Sequence, residues 1–311
     1  MDEKSRSEIT VGGEARAGID WLGLLKLMTS IKSVFVGSVE RRWEMRQKLH
    51  QHSYQLIEKV NRLLDDARLG LRQKKRPDEL LFIIDNLDRV PPSISQKLFF
   101  DNGENLKKLR THVIYTVPIA SALAPNHIGM VFDRYFTLPM VKVRKRDGKS
   151  FRKGRNALFS LLGQRMDMES IFDSRRTSGY LVEMCGGSVR DLMRLINEAQ
   201  LIARVRGRTK IDRNSAKAAV GKLLANFEDS LIPKAVYFPL LANVHHEKGD
   251  PVGETVDMSV QSVQEKRRFF RELLFNGSVL KYNGDENWYD VHPIVQQSKT
   301  FKRAMREIHD E

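Results

Sequence analysis

The sequence predicts an α/β fold: a partial parallel sheet, then an all-helical segment, then a helix followed by a β-hairpin. Three observations carry this prediction. Leu80, Leu81, Phe82, Ile83 and Ile84 form an apolar run closed by the acidic cluster Asp85, Asn86 and Asp88, which reads as a buried strand delivering carboxylates to its carboxyl end. Further apolar runs at 112–117 and 135–141 alternate with helical patterning, the order that gives a parallel sheet. Beyond Val143 the periodicity is helical until the residues around Asn283 supply a hairpin turn between two short apolar segments.

Taken in order, the spacing of Trp43, Leu49, Leu56, Ile57, Val60, Leu63 and Leu64 predicts a helix over about 39–69, ended by Lys74, Lys75, Arg76 and Pro77. After the strand at 80–84, Pro91, Pro92 and Ser93 start a helix expected to run from about Ile94 to Leu109. In the third strand Pro139 removes a ladder donor and argues for an edge position or a strand end. Residues 142–155 carry eight Lys or Arg against one Asp and mark a boundary. Helices are expected at about 152–166, 170–185, 189–206, 212–225 and 260–275, with hairpin strands at 278–282 and 288–291. The domains so drawn are 1–38, 39–143, 144–225 and 226–311.

With 311 residues and 41% hydrophobic content the chain is long enough for two or three domains and is not of disordered composition. Its formal charge of +14 favours contact with nucleic acid or another anionic surface. The single Cys185 excludes an internal disulfide framework and paired zinc thiols, which fits a reducing, cytoplasmic setting. Residues 17–37 are apolar, but Asp20, Lys26 and Lys32 interrupt them, so they read as a core segment and not as a membrane span.

Carboxylates at the end of a parallel strand stand where an aspartate holds the Mg²⁺ that bridges nucleotide phosphates, and Asp85 is placed for that role. Thr116 ends the next strand, Phe132, Asp133 and Arg134 precede the third, and Gly186, Gly187, Ser188, Val189 and Arg190 open a later helix. A cation such as Arg190 in a first helical turn opposes the helix dipole and needs another reason to be there. In this order the features resemble an AAA+/STAND P-loop ATPase of the bacterial origin-recognition-like group, over about residues 39–295. The resemblance implies ATP and Mg²⁺ as cofactors, Asp85 as the metal ligand, and Asp85, Asp88 and Arg134 as catalytic residues, Arg134 as a finger reaching a neighbouring subunit. It further implies Thr116 as sensor 1 and Arg190 as sensor 2 on a helical lid, a C-terminal winged helix, and a protein partner or homo-oligomer. By family analogy alone it points to a prokaryotic stress or defence setting.

Two departures from the family weigh against catalysis. No G-x-x-x-x-G-K-[ST] loop occurs, so the chain is expected to be a member without the amino-terminal strand and Walker A segment. Asn86 stands where a carboxylate polarises the attacking water, and an amide cannot accept that proton. The glycine pair Gly13 and Gly18 lacks the Lys and Ser/Thr, and Gly148, Lys149 and Ser150 lack the first glycine and follow the acidic strand. His245 and His246 are adjacent, a spacing that cannot aim both at one ion.

The sequence therefore leads to a nucleotide-responsive switch or assembly component, catalytically incomplete as it stands. The alternative is a non-enzymatic DNA- or protein-binding adaptor that uses the ATPase fold as a scaffold. For duplex DNA the candidates are Lys266, Arg267, Arg268 and Arg271 on the helix before the hairpin, with Trp288 and Tyr289 beyond it. Phe269, Phe270, Leu273 and Leu274 form that helix's apolar stripe, and the charges equally read as its solvated face.

Overall fold

A computed structural model describes residues 39–123, 128–232, 236–251, 260–283 and 287–310. The apolar segment at 17–37 and the glycine pair at 13 and 18 lie outside them. The chain divides into two compact units, one of residues up to Ile83 together with Glu104–Ile114, the other of Ile84–Gly103 together with Tyr115–Glu311.

In the first unit helix α1 (Val39–Gln73) carries Asn61, which is buried at 2% exposure. An amide buried on a helix must have both ends satisfied. Asn61 Nδ2 donates to Lys108 O at 2.9 Å and Oδ1 accepts the Arg110 N–H at 2.8 Å, which ties the segment before the second strand to the helix. Arg110 adds an ion pair to Asp65 at 3.0 Å.

Strands β1 (Leu81–Ile84) and β2 (His112–Tyr115) pair as a two-stranded sheet. The Thr111 hydroxyl donates to Leu80 O at 2.8 Å and the Thr116 N–H to Ile84 O at 3.1 Å. Residue numbers rise together along both strands, so the pair is parallel, as expected. The expectation of a buried strand is wrong: Leu81, Phe82, Ile83 and Ile84 are 58, 44, 65 and 39% exposed. A strand apolar on both faces needs a packed layer on each, and among the described residues neither face of β1 has one.

The helix expected over 94–109 is broken. It forms as α2 (Pro92–Ser95), a π-turn at Gln96–Asp101, and α3 (Gly103–Lys107). The Asn102 N–H and Nδ2 both bond Lys97 O, at 3.1 and 2.7 Å, which widens the turn and ends the helical ladder. After α4 (Ile128–Val131) the strand expected at 135–141 does not form. Pro139 has no N–H to give, and the next two donors go elsewhere, Met140 to Lys281 O at 3.0 Å and Val141 to Gly187 O at 3.2 Å.

The rest of the second unit is helical around a main core. Helices α5 (Arg152–Gly163), α6 (Met168–Ile171), α7 (Arg175–Met184), α8 (Val189–Val205) and α9 (Arg213–Leu231) bury Leu158, Leu162, Leu181, Leu192, Leu195 and Ala219. The single helix expected at 170–185 is split into α6 and α7. Ser174 caps α7 by accepting the Thr177 N–H, and the Asp173 N–H bonds Ile211 O at 3.0 Å. Cys185 is fully buried in this core, where burial pushes its thiol up to about 12.

The same core continues through α10 (Tyr237–Glu247), α11 (Val260–Phe275), the antiparallel hairpin β3 (Val279–Tyr282) with β4 (Trp288–Val291), and α12 (Lys299–Asp310). Val279 faces Val291 and Tyr282 faces Trp288, and the ring centroids of Tyr282 and Trp288 stack 4.4 Å apart. Gly284 and Asp285 of the expected turn lie outside the described residues. Among the described residues no helix is long and apolar enough to cross a membrane.

Candidate functional site

The acidic cluster follows β1 as a tight loop. Asn86 takes the left-handed conformation, φ 66°, ψ 3°, which its short polar side chain tolerates, and Leu87–Arg89 make one 3-10 turn. The Asp85 carboxylate accepts the Asn86 N–H at 2.7 Å. Thr116 closes the loop from the neighbouring strand: its Oγ1 accepts the Leu87 N–H at 3.1 Å while its own N–H bonds Ile84 O. Asp85 and Thr116 thus stand at adjacent carboxyl ends of the parallel pair, the arrangement expected from the sequence.

Arg190 joins this loop from α8. Its Nη2 lies 3.5 Å from Asp88 Oδ2, with side chains 53 and 34% exposed. The turn that presents Arg190 is built by Gly186 and Gly187, at φ +58° and +87°. Both are also crowded: a Cβ on Gly187 would lie 1.8 Å from Val141 O, and one on Gly186 2.5 Å from Leu280 Cδ1 and 2.7 Å from Pro293 Cδ. The Tyr282 hydroxyl donates to Gly186 O at 2.6 Å. Ser188 then caps α8 by accepting the Asp191 N–H at 3.2 Å.

Asp191 points its carboxylate at Arg194, 3.3 Å away, and at the fully buried His292, whose Nε2 is 3.6 Å away. Burial raises the Asp191 carboxyl, but the His292 ring and the Ser188 hydroxyl outweigh it, and the net shift is downward from 3.8. A depressed carboxyl contributes stability that is present above its unfolded value and lost as pH falls through the folded one. Asp191→Asn removes the carboxylate charge that faces the buried His292 ring and is therefore expected to lower Tm at neutral pH by several degrees. The gap between variant and wild type should close below about pH 4. Thermal denaturation followed across that range checks it, and a gap independent of pH would exclude Asp191 as the titrating partner.

Arg134 is not brought to the loop. It lies on the exposed stretch 133–136 and forms no ion pair with Asp85 or Asp88. On α11, Arg267 and Arg268 are exposed, whereas Lys266 and Arg271 are half-buried. Burial lowers the Arg271 guanidinium, and the neighbouring Arg267 adds to this. Trp288 and Tyr289 are buried, at 4 and 7% exposure, so they serve the core and not a surface. His245 and His246 part as expected, to Asp290 at 2.6 Å and Glu247 at 2.7 Å. Sequence reasoning overlooked His292, whose only signal is a lone His between a strand and a Pro.

For Mg²⁺ and ATP the fit is one-sided. Asp85 and Thr116 offer a carboxylate and a hydroxyl, enough for a Mg²⁺ ion completed by water and phosphate oxygens. Among the described residues no cluster of three or more His, Cys, Asp or Glu could hold a metal by itself, and no glycine-rich turn cradles phosphates beside the loop. Gly148 lies instead in a turn closed by Lys145 N–H to Lys149 O at 2.8 Å.

No family model matches the chain, and no curated protein matches it. Among solved structures it is similar to the ADP form of the Aeropyrum pernix ORC2 protein, at 14% identity and TM-score 0.41, over 80% of this chain and 68% of that one. The ADPNP–ADP complexes of the same protein give 12% identity and TM-score 0.33, over 81 and 71%. Cdc6p from Pyrobaculum aerophilum gives 13% and 0.31, over 81 and 71%. At such identities and scores the functional reading has to stand on this chain's own residues.

Proposed function

We propose that the chain is an AAA+/STAND-like module acting as a nucleotide-responsive switch or assembly component, with little or no hydrolysis of its own. The observation that carries this reading is the Asp88–Arg190 ion pair, which joins the loop at the end of a parallel strand to the first turn of α8. A half-exposed pair of this kind is worth about 0–1 kcal/mol. An anionic phosphate near Asp85 would compete with Asp88 for Arg190 at small cost, and that exchange would act on the Gly186–Gly187 turn and on the hairpin bonded to it. Asp85 would hold Mg²⁺ and Thr116 would face the terminal phosphate.

Labelled ATP with Mg²⁺ tests this in the full chain. Binding is expected to weaken about fivefold or more in Arg190→Ala, the effect of removing one charge-assisted hydrogen bond, and equal binding in variant and wild type would overturn the reading. Phosphate release from ATP is expected to stay at background, because Asn86 stands at the base position and a phosphate cradle is absent from the described residues. Turnover abolished by Asp85→Ala would contradict this.

A second reading, a DNA-binding adaptor with a winged helix at 226–295, is favoured by the exposed Arg267 and Arg268 and the +14 charge. Replacing the basic side chains of α11 tests it, with the outcome set out in the Discussion.

A further inference from the structure

A cavity of about 670 Å³ opens among the helices of the second unit, with none of Asp85, Asp88, Thr116 or Arg190 in its lining. Four arginines from three helices line it: Arg155 of α5, Arg175 and Arg176 of α7, and Arg213 of α9. Glu183 neutralises Arg155 at 2.6 Å. Asp173 is the other carboxylate of the lining, which leaves a surplus of two positive charges (four arginines less two carboxylates). Its oxygen accepts the Ser174 hydroxyl at 3.0 Å. Arg175, Arg176 and Arg213 form no ion pair among the described residues.

Two of these guanidiniums are held by their faces. Arg213 lies 3.8 Å from the Tyr180 ring centroid and Arg175 lies 5.1 Å from that of Phe159. Stacking of this kind fixes the plane and leaves the N–H edge for a planar or tetrahedral oxyanion. Arg213 spends one N–H on Arg176 O at 3.2 Å. Arg175 and Arg176 also occupy the first turn of α7, which holds no acidic residue. Cations there oppose the helix dipole, and three cations around one concavity repel each other. Such an arrangement is unfavourable until an anion enters, and a dianion relieves both terms. The volume falls in the range of small-molecule pockets, about 300–1,000 Å³.

We propose that this cavity binds a phosphoryl-bearing ligand of nucleotide size, free or within a single strand, through Arg175, Arg176 and Arg213. The site is separate from the acidic loop and requires no metal. The test uses the full chain in EDTA, where Mg²⁺-dependent binding at Asp85 is silent. Inorganic pyrophosphate is titrated calorimetrically, and a short labelled single-stranded oligonucleotide is followed by anisotropy. In Arg175→Ala/Arg176→Ala, pyrophosphate affinity is expected to fall about tenfold or more. If the oligonucleotide weakens in parallel, with a salt slope lower by about 0.7 for each phosphate no longer neutralised, the phosphoryl group belongs to a strand. If only pyrophosphate weakens, it belongs to a free ligand. Should the double variant fail to fold by circular dichroism, Arg176→Gln alone carries the same test. Lys302→Ala/Arg303→Ala on α12 removes equal charge from an exposed site elsewhere. The proposal is overturned if wild type binds neither probe, if the cavity variant binds both as wild type does, or if the α12 control weakens binding as much.

Discussion

Alanine at Gly187 is expected to lower Tm by roughly 4–20 °C or to leave the chain insoluble. The backbone there has φ +87°, which costs an L-residue about 1–2 kcal/mol. A Cβ would also stand 1.8 Å from Val141 O, a backbone atom that can move only by giving up the Val141 N–H bond to Gly187 O. Overpacking of that kind adds roughly 1–3 kcal/mol, and in a unit of this size each kcal/mol shifts Tm by about 2–4 °C. Gly207 supplies the control, since it has φ +69° with nothing within 4 Å of an added Cβ. Gly207→Ala should show the conformational cost alone. Equal Tm values for the two variants would mean that Val141 does not confine the turn before α8.

Replacement of Lys266, Arg267, Arg268 and Arg271 together by Ala decides the second reading. If α11 lies on duplex DNA, binding should weaken across all sequences, and the slope of log K against log salt should fall by about 0.9 for each phosphate released from a basic partner. The half-buried Arg271 donates its Nε to Arg267 O at 3.4 Å, and Arg268 lies 5.0 Å from the Phe269 ring centroid. The drop is therefore expected to come mainly from the exposed Arg267 and Arg268, and to fall well short of one phosphate for every replaced side chain. An unchanged slope would remove α11 from any DNA interface and turn the search toward protein docking.

What the sequence made legible is what local chemistry writes. An apolar run ending in Asp85 and one ending near Thr116 gave two parallel strands with those residues side by side. Two glycines followed by Ser188 gave a cap and a helix with Arg190 in its first turn, and two hairpin strands were readable at 278–282 and 288–291, which pair as β3 and β4. What stayed hidden depends on partners distant in the chain. Leu81 to Ile84 look the same in sequence whether or not layers cover them, and only the fold reports their exposure. The segment 135–141 has strand composition, yet its donors at Met140 and Val141 are claimed by Lys281 and Gly187. Nor does anything near Asp88 announce Arg190 as its counter-ion, or anything near Arg175 announce Arg213, because helix packing alone brings them together.

The exposure of β1 sets how the chain must be handled. Four consecutive apolar side chains with strand geometry and no internal charge make a short self-associating segment. Its protection comes from the charges that bracket it, Arg76, Asp78 and Glu79 on one side and Asp85, Asp88 and Arg89 on the other. Replacing Asp85 and Asp88 by Asn raises the net charge of the molecule and at the same time strips the segment of part of its screen. Light scattering should then rise in that variant even as the molecule becomes more cationic.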